Sequence, residues 1–133
     1  MALATGLEST TPGSILRLDV PLPAEWRQAA RVVLVLEDVI TPRGQAFVVR
    51  LRATTPGKPD VPLGSFGVLA DDVGAEGDRP PVAYRVDVTR GLRRWGESQP
   101  AADSLKLALV TVDGRSKPLE VAWHVGRACL ETR

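Results

Sequence analysis

Phe47-Val48-Val49-Arg50-Leu51-Arg52-Ala53 is the stretch whose reading decides the fold. Phe47, Val49, Leu51 and Ala53 share one parity, with Arg50 and Arg52 on the other, the period of two expected of a half-buried strand. The same alternation recurs in both directions along the chain. Leu16, Leu18 and Val20 oppose Arg17 and Asp19; Tyr84, Val86 and Val88 oppose Arg85 and Asp87. Leu105, Leu107 and Leu109 flank Lys106, and Leu119, Val121, Trp123 and Val125 oppose Glu120 and His124. Val32–Leu36 is apolar throughout, which predicts a central strand covered on both sides. A less regular strand is expected around Ser65–Leu69. The expected core comprises Val33, Val35, Phe47, Val49, Leu51, Phe66, Tyr84, Val86, Leu107, Leu109, Val121 and Trp123.

Turn signals punctuate these runs. Pro42-Arg43-Gly44 and Thr55-Pro56-Gly57-Lys58-Pro59-Asp60 flank the deciding stretch. Asp113-Gly114 reads as a hairpin turn, because both residues tolerate positive φ. Asp71–Pro81 is the longest polar connection and is expected to be a mobile surface loop. Two short helices are expected: Thr89–Gly96, with Asp87 or Thr89 as cap and Gly96 as stop, and about two turns over Pro23–Ala30. Arg93 and Arg94 fall in the last turn of the first, where the helix dipole favours cations. The fold class is therefore all-β, a single antiparallel β-sandwich of about seven strands with one or two short helices. Its expected organisation is an N-terminal segment, 1–30, packing on a sandwich domain, 31–133.

Composition excludes more functions than it offers. The 133 residues, 44% hydrophobic and 25% charged, suit one globular domain. Seventeen basic residues against sixteen acidic ones leave no field to gather phosphates, and 5% aromatics make a poor platform for stacking bases. No nucleic-acid partner is expected. Met1–Ser14 lacks a basic region followed by an apolar run, and the longest wholly apolar run is Val32–Leu36, so neither a secretory signal nor a membrane partner is expected. With Cys129 the only thiol, these features point to a reducing cytoplasm, or to export only as cargo of a partner. The bias toward Arg, Ala, Val, Gly and Pro, with no Asn, resembles a GC-rich bacterial coding sequence.

Few residues can carry chemistry. His124 is the single histidine and reads as a surface or partner-facing side chain. Five residues separate it from Cys129, which in a strand sends the two to opposite faces and leaves Cys129 a buried structural thiol. Asp71, Asp72, Glu76 and Asp78 lack the spacing of a calcium loop. Glu37-Asp38, ending the central strand, is expected to meet a backbone amide or an arginine. Gly64-Ser65-Phe66-Gly67 has neither the lysine nor the helix start of a phosphate loop. Arg90, Arg93 and Arg94 read as a solvated helix face, with an acidic partner as the other reading. Trp26, Trp95 and Trp123 are expected in the core. No catalytic residue, metal ligand or cofactor is assigned.

Taken in order, Val33-Leu34-Val35-Leu36-Glu37-Asp38-Val39, Phe47-Val48-Val49-Arg50-Leu51, Leu63-Gly64-Ser65-Phe66 and Tyr84-Arg85-Val86-Asp87-Val88-Thr89 resemble a known domain. It is the C-terminal β-domain of polyphenol oxidases and tyrosinase-like type 3 copper proteins, and Leu107-Ala108-Leu109-Val110 and the terminal strand through Leu130-Glu131 complete the order. Gly64, Ser65 and Phe66 are similar to that family's Ala-Gly-Ser-Phe signature. The Lys-Phe-Asp-Val strand is matched only in alternation, and the Pro-His stretch after the signature is replaced by Val68-Leu69-Ala70-Asp71. The resemblance implies an antiparallel sandwich that packs on a separate helical catalytic domain and shields its copper site. One histidine cannot supply the six imidazoles of a dinuclear copper site, so this chain is not expected to be an enzyme by itself.

Two functions follow as expectations, with an enzyme of unrecognised site as a third reading. The first is a non-catalytic accessory or shielding subunit, its partner a type 3 copper oxidase catalytic subunit. The second is a free-standing protein-interaction module or self-associating homo-oligomer with no link to copper oxidases. Either needs a sheet face less polar than free surface. Ala46, Val48, Ala108, Val110, Val112 and Ala122, with His124 beside them, lie on faces read as outward. Together they are expected to form an apolar patch of several hundred square ångströms, larger than most monomers leave bare, or else to pack under Pro23–Ala30 and the N-terminal tail.

Overall fold

A computed structural model of the chain describes residues 3–69 and 76–133, with the exception of 9–14. Among the described residues, eight strands and one helix follow in the order β1 (Leu3–Glu8), β2 (Ile15–Pro21), β3 (Val32–Ile40), β4 (Phe47–Thr55), β5 (Lys58–Val68), β6 (Val82–Asp87), α1 (Thr89–Gly96), β7 (Ser104–Val112) and β8 (His124–Thr132). They form two antiparallel sheets, β1-β8-β3-β6 and β2-β7-β4-β5, and the fold is an all-β sandwich. The segment 1–30 thus supplies an edge strand to each sheet.

The second sheet follows the sequence alternation. Phe47, Val49, Leu51 and Ala53 of β4 and Leu105, Leu107 and Leu109 of β7 face the first sheet and are buried. Leu18 and Val20 of β2 join them, while Arg17 and Asp19 stay exposed. β4 and β5 meet in a two-residue turn, Pro56-Gly57. Gly57 has φ 76°, as the third residue of a type II turn requires, and proline sets the position before it. Strand β5 runs much further than Ser65–Leu69 and contains Pro59 and Pro62, which its place at the sheet edge permits.

The first sheet breaks the alternation in one row. In β3, Leu34 and Leu36 face the core, but so does Val39; in β8, Val125 does, but so do Ala128 and Leu130. The pairing keeps a constant register across this point, from Leu36–Ala128 to Val39–Val125, so both strands change face together. Asp38 makes the change in β3 with a left-handed φ of 53°, a conformation aspartate tolerates better than most residues. Opposite it stands Gly126, where a Cβ would lie 2.7 Å from the Cβ of Asp38. Strand β1 passes the same row with Thr5 on Arg127 and Leu7 on Val125, and β6 absorbs the change through a bulge.

Several expectations are corrected here. β3 does not end at Glu37-Asp38 but continues to Ile40. Val33 and Val35 are buried, yet they lie with Cys129 on the side of the sheet away from the main core. The run Leu119–Val125 is not one strand: β8 begins at His124, and Pro118 forms only an isolated bridge to Val112. Residues 113–117 do turn the chain, but without the expected dihedrals. The Asp113 carboxylate accepts the Arg115 and Lys117 amides at 2.8 and 3.0 Å, and Ser116, φ 65°, takes the left-handed position. The reading of Asp71–Pro81 lies outside the described residues over 71–75; within 76–81, Gly77 and Asp78 are tied to Arg43 and Pro42.

Helix α1 closes one end of the sandwich. Leu92 and Trp95 are buried, and Gly91 lets the helix ride over β5, since a Cβ there would meet the Pro62 carbonyl at 2.4 Å. The cap differs from the expected one. Val88 precedes the helix without a side-chain cap, and the Asp87 carboxylate binds the Thr89 amide and hydroxyl at 3.0 and 2.6 Å. The end differs as well, because Glu97 follows Gly96 in right-handed geometry. Pro23–Ala30 forms hydrogen-bonded turns rather than a helix. Its Trp26 packs on Trp95 with centroids 6.2 Å apart, and Trp123 meets Phe47 edge-on at 6.4 Å. All three tryptophans are buried.

Candidate functional site

The outward face of the second sheet holds four of the expected interface residues, and their rows follow from strand register. Val48 lies between Gly67 and Val112; Val110 lies between Ile15 and Arg50, with Ser65 beyond; Ala108 lies between Arg17 and Arg52. Val48 and Val110 are half-buried, and Ile15 is 49% exposed. Ala108 and Val112 are already covered, at 3% and 4% exposure.

The continuous apolar patch is therefore corrected to a smaller one. Ala108 sits between two arginines whose aliphatic stems are long enough to cover a methyl group. Val112 is bridged by Pro118 as the 113–117 turn folds back. Ala46 is exposed ahead of β4, and Ala122 is exposed in the link before β8; neither belongs to this face. His124 is half-buried in the first sheet, paired with Ile40 and Glu8. What remains apolar on the outward face is Ile15, Val110 and Val48. Ile15 was not among the expected interface residues, although its parity opposite Leu16 carried the signal.

Around this strip the face is polar and slightly hollow. Arg50, Arg52, Asp60, Pro62, Gly64 and Ser65 line a shallow concavity of about 530 Å³. The Arg50 guanidinium donates to the Ser116 hydroxyl, which ties the far turn to the face. Gly64, Ser65 and Phe66 lie on β5, the edge of the second sheet, and link it to β6, the edge of the first. Phe66 stacks on Tyr84, with centroids 4.4 Å apart and planes 23° apart. A Cβ on Gly64 (φ 152°) would meet Val86 Cγ1 at 3.0 Å, so glycine permits this approach of the two edges. The motif closes the sandwich and leaves Ser65 exposed.

The remaining chemical groups are dispersed. The face change at Gly126 overturns the expected separation of His124 and Cys129: both now lie on the outer side of the first sheet. They remain about 16 Å apart along the strand, too far to act as a pair. Burial, then the nearby Glu131 and Glu37 carboxylates, pushes the Cys129 thiol above its ordinary range, which disfavours the thiolate. Glu37 meets an arginine as expected, at 2.7 Å from the Arg127 guanidinium, with Asp38 at 3.8 Å. Among the described residues no three His, Cys, Asp or Glu side chains converge as a metal would require. No helix there is long and apolar enough to cross a membrane.

The outward face thus presents an apolar strip, flanking arginines and an open hollow. Comparison with protein-family models finds no match, and comparison with curated proteins finds no relative of significant similarity.

Proposed function

We propose that this chain is a non-catalytic accessory domain that docks through the outward face of β2, β7 and β4 on a catalytic protein. The observation that carries the reading is the strip Ile15–Val110–Val48, apolar and incompletely covered where a free sheet face favours polar side chains. The resemblance of Leu63–Phe66 and Tyr84–Thr89 to the polyphenol oxidase β-domain supplies the partner: the catalytic subunit of a type 3 copper oxidase. In this reading the sandwich shields the oxidase, and copper and substrate are handled by the partner alone. Self-association through the same strip is the second reading, favoured by the exposure of Ile15 at the outer edge of the sheet.

Sedimentation of the chain alone, and with a co-encoded His-rich copper protein, tests both. A one-to-one complex lost in Val110→Lys supports docking on the oxidase. A dimer of the chain alone, lost in the same variant, supports self-association. A monomer that ignores the copper protein refutes both. The chain alone is expected not to oxidise catechols with added copper. Turnover abolished by His124→Ala would overturn the accessory reading.

A further inference from the structure

At the end of the sandwich closed by α1, Ala30, Arg31, Asp87, Thr89, Arg90, Arg93, Arg94 and Glu97 surround an open groove of about 790 Å³. Four arginines face two carboxylates, one of which is already engaged: Asp87 holds the Thr89 amide and hydroxyl, and those bonds, with Arg31 nearby, keep its carboxyl below the usual range. The groove floor is fixed, because the Thr89 hydroxyl also accepts the Val32 amide at 2.8 Å and Arg93 donates to the Ala29 carbonyl. Among the described residues, no carboxylate forms an ion pair with Arg31, Arg90 or Arg94.

Helix stability does not explain this arrangement. Arg93 and Arg94 complement the dipole of the last turn, but Arg90 stands in the first turn, where a cation is unfavourable and no acid is present. Arg90 also lies three and four positions before Arg93 and Arg94, a spacing at which like charges destabilise a helix. By contrast, Arg27 on the same end is committed: it lies 4.3 Å over the Trp26 ring and donates to the Gly96 and Gln99 carbonyls. A local rule broken without a structural return is the mark of a functional surface.

We propose that this groove binds an extended acidic peptide segment of a partner protein. Guanidinium forks match carboxylates in two-point geometry. Arginines three and four apart on a helix are about 5–6 Å apart, close to the spacing of alternate side chains on an extended strand, about 6.7 Å. A compact phosphate is served less well, because the Thr89 amide at the helix start is already taken by Asp87. The groove is at the helix end of the sandwich, separate from the Ile15–Val110–Val48 strip, so the proposal does not rest on the copper-oxidase reading.

Fluorescence anisotropy with a labelled peptide of alternating Glu and Ser, about a dozen residues long, tests it. The chain is expected to bind at low salt with a dissociation constant of about 10–100 μM, weakening as salt rises. The double variant Arg90→Glu/Arg94→Glu should lose about tenfold or more. Arg115→Glu/Lys117→Glu, which changes net charge equally in the far turn, should bind as the parent does. Arg90→Glu alone should melt at a higher temperature than the parent, which separates lost binding from lost folding. No binding at low salt, equal loss in both double variants, displacement by equimolar inorganic phosphate, or a lower melting temperature for Arg90→Glu would each overturn the proposal.

Discussion

The two sheets bury similar residues by different means. In β4 and β7 the core face follows an unbroken period of two, from Phe47 to Ala53 and from Leu105 to Leu109. In β3 and β8 the core face changes parity between Leu36 and Val39 and between Val125 and Ala128. The difference teaches that alternation is a property of one strand, whereas a face change is a property of a row. Asp38 adopts its left-handed turn only because Gly126 leaves room across the ladder. One consequence is chemical: the change brings His124 and Cys129 to the same side of the sheet.

The largest test asks whether the sheets are equivalent in the core. Leu107 of the second sheet and Leu34 of the first are both fully buried, so alanine at either should cost about 2–5 kcal/mol in urea unfolding. A loss under about 0.5 kcal/mol at Leu107 would mean that the face assignment of β7 is inverted.

Glycines separate the sheets more sharply. Gly126→Val places a side chain against Asp38 and should cost about 1–3 kcal/mol. Gly67 of β5 has nothing within 4 Å of a Cβ, so Gly67→Val should shift stability by no more than about 0.5 kcal/mol. Equal effects would erase the contrast between a tight row and an open edge.

Asp38 itself should respond to shape rather than charge. Asp38→Val forces a β-branched residue into the left-handed region and should cost about 1–2 kcal/mol, whereas Asp38→Gly should lie within about 0.5 kcal/mol of the parent. A benign valine would show that the row can relax without the left-handed residue.

The smallest effect belongs to Asp87, which ends β6 and holds Thr89. Its folded pKa is depressed, first by the Thr89 hydroxyl and then by the Thr89 amide. Its contribution to stability is therefore present above the unfolded value, about 3.9, and is lost as pH falls through the lower folded value. The stability difference between the parent and Asp87→Asn should shrink over that acid window, as read from melting curves. A difference that stays constant into strong acid would detach the carboxylate from the helix start.

Much of this was legible in the chain. The alternation of Phe47–Ala53 and Leu105–Leu109, the Pro56-Gly57 turn and the span of the α1 helix follow from local pattern, because each is set by residues within a few positions of one another. The outward parity of Val48 and Val110 was legible for the same reason. Covering, in contrast, depends on neighbours distant in sequence. Arg17 and Arg52 flank Ala108 only because β2 and β4 pair with β7 on either side, and Pro118 covers Val112 only because the 113–117 turn folds back. Likewise, no single-strand pattern announces that Asp38 and Gly126 share a row, or that Arg31 joins Arg90 and Arg94 around one groove. The sequence by itself determined which side chains seek burial and where the chain turns, since these rest on local periodicity and turn chemistry. The tertiary structure alone decided which outward residues stay open and which charges converge, because both depend on strand order and register across the sandwich.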